Sequence, residues 1–351
     1  MKRFSILIAA LCLCLTGCGK QTTEATAQIF AMDTVMEVAA YGPKAEEAVQ
    51  EAEGQIKALE NKLSRTKADS DVSRVNHNGT TPTTGLTYGT RALLPAALEY
   101  RDATNGAFDI TIAPVMDAWG FTGDSFRVPE RSELDELLKH VNSDEIQIQE
   151  EPAHSVTLGE GQAIDLGGIA KGYTSDLVEQ TFRANGIESG KISLGGNVFV
   201  LGGKPDGSDW RVGIKDPRNE SGLAAILSLR DAYAITSGGY ERYFEENGKT
   251  YHHIIDPSTG YPADSGLLSV TVVAADNGPD WAGAGNGAMC DAFSTALFVM
   301  GEEQALDFWR NGGYDFDLVL VTEDGRVVIT AGLADRFEEV KGSGYTYETV
   351  S

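Results

Sequence analysis

The amino-acid sequence predicts an α+β fold of mixed, largely antiparallel sheets with flanking helices. Two observations carry that expectation. Strand-like segments come in runs with helical segments interposed unevenly, whereas a doubly wound α/β sheet alternates them one for one. Some segments, Thr250–Ile255 and Leu267–Ala275 above all, are dense in β-branched side chains, while others repeat apolar residues at helical spacing. No internal repeat or low-complexity run interrupts them. About 330 of the 351 residues follow an N-terminal leader, enough for one large domain of two closely joined lobes.

The leader comes first. Lys2 and Arg3 precede an apolar run, Phe4–Leu15, that is too short to span a membrane as a helix. Leu15-Thr16-Gly17-Cys18 follows and resembles a bacterial lipobox. That makes residues 1–17 a signal peptide and Cys18 a lipidated N-terminus on the extracytoplasmic side of a membrane. The alternative is an ordinary signal peptide cleaved nearby. Polar, Thr-rich residues 18–28 read as a flexible tether, and residues 29–345 as the folded domain.

Within the domain, Ile29–Tyr41 alternates loosely and reads as a first strand. Pro43 opens a helix in which Ala45, Ala48, Val49, Ala52, Ile56, Leu59 and Leu63 fall on one face. Leu63–Asn76 is polar and reads as a loop. Thr90–Thr104 reads as a helix with Pro95 near its start or at a kink. Asn105-Gly106 ends it, and Ala107–Thr111 follows as a strand or extended segment. Ser132 and Asp135 suggest a helix cap before Leu134, Leu137 and Leu138. Ile146–Gln149 and Ser155–Leu158 read as a hairpin around Glu151-Pro152.

Ile164–Tyr173 runs from an apolar strand end through Gly167-Gly168 into a helix that stops at Asn185-Gly186. Two glycines there let backbone approach a ligand closely. Strands are expected at Lys191–Leu201, Trp210–Ile214, Ile226–Leu229 and Ala232–Thr236. Asn277–Gly287 is a Gly-rich loop, Ala288–Met300 and Glu302–Arg310 are helical, and Asp317–Val321 with Arg326–Thr330 forms a hairpin.

Charge excludes some partners. Setting aside Lys2 and Arg3 leaves 26 of the 28 basic residues against 52 acidic ones, a net charge of −26. Such a surface repels phosphate backbones, so nucleic acid is not a partner. It also argues against a peripheral hold on anionic lipid. Beyond Cys18 only Cys290 remains, so neither an intramolecular disulfide nor a Cys-based metal cluster is expected.

The chain lacks a Gly-x-Gly-x-x-Gly junction and a Gly-x-Ser-x-Gly elbow, and Tyr243 stands where a phosphate loop ending at Asn247-Gly248-Lys249-Thr250 needs its first glycine. No His-x-x-x-His spacing supports catalytic zinc. Four constellations remain. Asp165 and Lys171 bracket the Gly167-Gly168 turn with opposite charges. Asp291 and Thr295, four apart on a helix, share a face and offer hard oxygen ligands suited to Mg²⁺, or form only a polar stripe. His252 and His253 point to opposite faces of a strand before Asp256-Pro257-Ser258-Thr259-Gly260, so one of them is a candidate proton acceptor. Leu194-Gly195-Gly196-Asn197 and Thr236-Ser237-Gly238-Gly239-Tyr240 are small-residue turns that cradle a phosphate or merely turn.

Together and in this order, these pieces resemble the ApbE-type flavin transferases, the FAD:protein FMN transferases. The motifs are Asn105-Gly-Ala-Phe-Asp-Ile-Thr-Ile-Ala-Pro-Val-Met-Asp-Ala-Trp-Gly-Phe121, Ile164–Tyr173, Thr236–Tyr240 and His253-Ile-Ile-Asp-Pro-Ser-Thr-Gly-Tyr-Pro262. The likeness runs from Met32 to the Asp291–Thr295 helix and implies a T-fold-like architecture. It implies Mg²⁺-dependent cleavage of FAD as substrate, with FMN moved to a threonine hydroxyl of an exported partner flavoprotein and AMP released. It implies Mg²⁺ ligands at the Gly168 carbonyl, Asp291 and Thr295. FAD contacts would come from Met32, Ala107, Phe108, Asp109, Asp165, Lys171 and Ile254, and the base would be His253.

Three positions depart from the family pattern. Thr66 stands near a usual aromatic, Asp33 replaces a usual glycine, and Ser294 stands where some members carry an acid. Two other readings use the same pocket: an FAD pyrophosphatase, and a non-catalytic membrane-anchored flavin binder.

Overall fold

The computed structural model describes residues 23–123, 125–149, 153–276 and 283–351. The leader, Cys18 and the Glu151-Pro152 turn lie outside the described residues, as does most of the Asn277–Gly287 loop. The expected α+β class holds. A nine-stranded sheet runs β1 (Glu24–Ala31), β2 (Thr34–Tyr41), β3 (Ser189–Leu194), β4 (Asn197–Leu201), β5 (Ala232–Gly238), β6 (Leu267–Ala275), β7 (Asp317–Thr322), β8 (Arg326–Thr330) and β9 (Thr346–Val350). Spatial order follows chain order, and every neighbouring pair is antiparallel except β8 and β9, which are parallel.

The helices are α1 (Ala45–Leu63), α2 (Asp71–Asn78), α3 (Tyr88–Ala103), α4 (Ala113–Trp119), α5 (Arg131–Leu137), α6 (Gly167–Ala184), α7 (Asn286–Met300) and α8 (Glu302–Asn311). The period-2 pattern of the strands decides what packs where. Phe199, Leu201, Tyr233 and Ile235 point into a core shared with α1, α3, α6 and α7. Val200, Ala232 and Ala234 point the other way, against strands Trp210–Asp216 and Asn219–Leu229 of a three-stranded sheet. A third, smaller cluster joins Trp119, Phe121 and Leu134 to the hairpin Tyr243–Glu246/Lys249–His252. Its centre is Trp119, whose indole N–H donates to the Gly260 carbonyl at 2.7 Å.

Several expectations need correction. Ile29–Tyr41 is not one strand but a hairpin, because Met32 and Asp33 turn the chain with φ of 50° and 59°. Residues 24–28 belong to β1, paired from Glu24↔Tyr41 onward, so the tether ends before Glu24. The domain extends past residue 345, since β9 adds to the sheet up to Val350. The polar stretch before Asn76 contains α2, started by the Ser70 hydroxyl accepting from the Ser73 N–H at 2.9 Å. Ala107–Thr111 pairs with no strand and leads into a 3-10 turn at Ile110–Ile112, capped by Asp109. Helix α5 starts at Arg131, so Ser132 lies inside it rather than at a cap. Residues 164–166 are not a strand. Thr236–Gly238 is the end of β5, not a turn.

Candidate active site

Helices α6 and α7 cross in contact, and the crossing is possible only because α6 carries glycine there. A Cβ on Gly172 would stand 2.0 Å from the Gly287 carbonyl oxygen and 2.7 Å from the Asp291 Cβ. One turn earlier, a Cβ on Gly168 would stand 3.7 Å from Thr295 Oγ1 and 3.1 Å from the Phe108 ring. Two residues four apart on α6 thus face two residues four apart on α7, which brings Gly168, Phe108, Asp291 and Thr295 together.

Asp291 is 3% exposed. Its Oδ2 accepts from the Gly172 N–H at 2.8 Å and its Oδ1 from the Asn197 amide at 2.9 Å. The Gly172 N–H is also the helical i+4 donor to the Gly168 carbonyl, so the Asp291 contact competes for that hydrogen. The start of α7 is held by Asp176 of α6, which accepts from the N–H groups of Gly285, Gly287 and Ala288 at 3.1, 2.7 and 3.1 Å. Burial pushes the Asp176 carboxyl up to about 7, against the pull of those donors and of Tyr233.

His253 and Lys171 are the candidate reactive groups. His253 follows the hairpin and is anchored twice to the Arg242 carbonyl, by its N–H at 3.0 Å and its Nδ1 at 3.1 Å. A carbonyl only accepts, so Nδ1 carries the proton and Nε2 keeps its lone pair. Burial, reinforced by the Lys171 charge nearby, pushes the imidazole down to about 4. It is therefore neutral at ordinary pH. Phe121 packs edge-on against it at 6.4 Å. Lys171, half-buried on α6, has no carboxylate partner among the described residues. Its charge is left for an anion.

Other expected contact residues have partners within the protein. Asp109 is a brace: its Oδ1 accepts from Thr111 N–H at 2.8 Å and Thr111 Oγ1 at 2.6 Å, and its Oδ2 from the Ser143 N–H at 3.1 Å. Asp165 is engaged too, accepting from Arg65 Nε at 2.7 Å and the Gly167 N–H at 2.7 Å. Arg65 also forks onto Asp117 at 2.7 and 3.1 Å, tying the loop before α2 to α4 and to the start of α6. The Ile254 side chain is buried in the main core, its N–H donates to His252 Nδ1 at 3.3 Å and its carbonyl accepts from the Ala263 N–H at 2.9 Å. Met32 sits at the β1–β2 turn beside Thr174 of α6, and Ala107 is half-buried next to Phe108. The sequence reading missed Arg65, Asp176 and the Arg242 carbonyl. Arg65 stood one residue from the expected aromatic position at Thr66; the other two left no local signal.

The donor set suits Mg²⁺. One buried carboxylate and one hydroxyl share a helix face beside a glycine backbone, all hard oxygens, leaving positions for substrate phosphate and water. Fold and site together define an α+β protein with a candidate cation seam between α6 and α7 and, on α6 itself, a lysine whose charge reaches a neutral imidazole.

The comparisons agree with that class. The ApbE family profile matches residues 32–318, and the chain belongs to the ApbE family. The FAD:protein FMN transferase of Treponema pallidum is 31% identical over 354 residues, covering 95% of this chain and 94% of that protein. One from Klebsiella pneumoniae is 33% identical over 294 residues, covering 83% and 86%. Among solved structures, the ApbE protein of Thermotoga maritima superposes with a TM-score of 0.77 at 32% identity, covering 91% of this chain and 97% of that one. The apo flavinyl transferase ApbE of Pseudomonas stutzeri gives 0.73 at 28%, covering 91% and 95%.

Proposed function

We propose that this chain is an FAD:protein FMN transferase that moves FMN from FAD to a threonine hydroxyl of a partner flavoprotein and releases AMP. The observation that carries the reading is the Asp291–Thr295 seam packed on Gly168 and Gly172 of α6, with Lys171 on the same helix and His253 close enough to feel its charge. Lys171 offers the pyrophosphate an uncompensated charge. His253 Nε2 accepts the proton of the attacking hydroxyl. The new bond joins the hydroxyl oxygen to the FMN phosphorus, and the bond to the AMP oxygen breaks. Phe108, held against Gly168, limits the room on that side and keeps water out. The residues that would hold Mg²⁺ are Asp291, Thr295 and the Gly168 carbonyl. When bound, the ion would neutralise charge on the transferring phosphate.

The test mixes the purified chain from Cys18 onward with FAD, Mg²⁺ and an acceptor flavoprotein domain, and reads intact mass. The expected result is a gain of one FMN on the acceptor, abolished by EDTA. Free FMN with no change in acceptor mass would replace the reading with an FAD pyrophosphatase. FAD bound but left intact would make the chain a flavin binder.

Localisation belongs to the same proposal. The Leu15-Thr16-Gly17-Cys18 ending supports an exported lipoprotein whose acceptor meets it on the extracytoplasmic side. Replacing Cys18 by alanine is expected to move the protein from the membrane to the soluble fraction; retention in the membrane fraction would remove the anchor assignment.

A further inference from the structure

We propose that Asn197 and Ser237 are positioning residues that orient the two cation-binding side chains, Asp291 and Thr295, before any ion arrives. The proposal rests on the cation assignment above and adds the groups that aim the ligands.

Asn197, 1% exposed, opens β4 and pairs with Ile235 of β5, which places it two residues across from Ser237. Its contact with Asp291 Oδ1 at 2.9 Å fixes the direction of its amide, because a carboxylate only accepts. With the Gly172 N–H on Oδ2 at 2.8 Å, one donor sits on each carboxylate oxygen. The plane of the carboxylate is held from both edges, and each oxygen keeps a second lone pair.

The hydroxyls form a directed relay. Ser294 Oγ donates to the Asp291 carbonyl at 2.9 Å, which uses its one proton. At 2.8 Å from Ser237 Oγ, Ser294 must therefore accept, and Ser237 must donate. Ser237's proton is then used as well. At 3.1 Å from Thr295 Oγ1, Ser237 must accept, so Thr295 donates. Thr295 is left with its hydrogen turned toward β5 and its lone pairs free, the polarity a cation ligand requires. Backbone direction at one end of the relay thus sets the hydroxyl orientation at the other.

Mn²⁺ binding to the purified chain, read by the EPR signal of the free ion, tests this. Ser237→Ala removes the acceptor for Thr295, and Asn197→Leu removes the donor to Asp291 at similar volume. Each is expected to weaken Mn²⁺ binding about 10–100-fold, the range usual for orienting groups, with Ser237→Thr restoring most of the loss. Turnover of Ser237→Ala should recover at saturating Mg²⁺, a shift in metal dependence rather than in kcat. Melting of the metal-free proteins reports structure separately. A Mn²⁺ affinity within about twofold of wild type in Ser237→Ala would overturn the proposal, whatever the melting temperature, because orienting groups carry at least tenfold. Failure of the wild type to bind Mn²⁺ would instead sink the cation assignment itself.

Discussion

The two halves of the candidate site are built on opposite terms. Along the α6–α7 seam the polar groups are partnered: Asp291 takes a donor on each oxygen, Asp176 takes three backbone N–H groups, and the hydroxyls of Ser237, Ser294 and Thr295 bond one another. Beside the seam, Lys171 has no carboxylate partner among the described residues and His253 keeps one nitrogen unprotonated. The difference separates holding from reacting. Groups fixed in advance need no reorganisation when charge shifts in a transition state, whereas a proton acceptor needs an unused lone pair.

The largest break in that contrast should come from the reactive half. His253→Gln is expected to lower the transfer rate about 10²–10⁴-fold while FAD binding, followed by flavin fluorescence, stays put. A loss of less than about tenfold would move the base elsewhere. The same histidine sets a pH signature. With its folded value pushed down to about 4, it stays neutral through mild acid and is protonated only below. The acid limb of kcat/KM is therefore expected near 4; a limb centred on the ordinary 6.5 would show an imidazole more exposed than this one. For stability the sign follows. The unfolded chain takes up the proton first, so stability falls as pH drops from 6.5 toward 4.

The seam should answer as structure. Gly172→Ala places a methyl against the Gly287 carbonyl and is expected to cost about 1–3 kcal/mol in a urea melt. An unchanged melt would mean that the helices have room to part. The smallest effect sharpens the contrast at Asp109. As a brace, Asp109→Asn should cost about 1 kcal/mol of stability and leave FAD affinity unchanged. A tenfold loss of FAD affinity with intact stability would make Asp109 a ligand contact as well as a brace.

Much of the fold was legible because its signals are local. All seven apolar positions spaced along Ala45–Leu63 are buried, and Leu267–Ala275 forms a strand over the whole expected range. What escaped had no local sign. The β1–β2 turn uses Met32 and Asp33 at positive φ without a glycine to mark it. Helix α2 hides in a polar stretch because its start depends on Ser70 and its placement on Asp71, which accepts from Thr87 and Thr90 beyond the next turn.

The candidate site divides in the same way. The four-residue spacing of Asp291 and Thr295, the glycines at 168 and 172, and the presence of Lys171 and His253 are properties of the chain, because helical periodicity alone puts such residues on shared faces. Which carboxylates remain available is not. Asp109, Asp165 and Asp291 look alike in sequence, yet Asp109 braces Thr111 and Ser143, and Asp165 is paired with the Arg65 charge. Asp291 is aimed by Gly172 and Asn197, 119 and 94 residues away. A carboxylate's role depends on which lone pairs its neighbours take, and those neighbours are chosen only when the helices and strands pack.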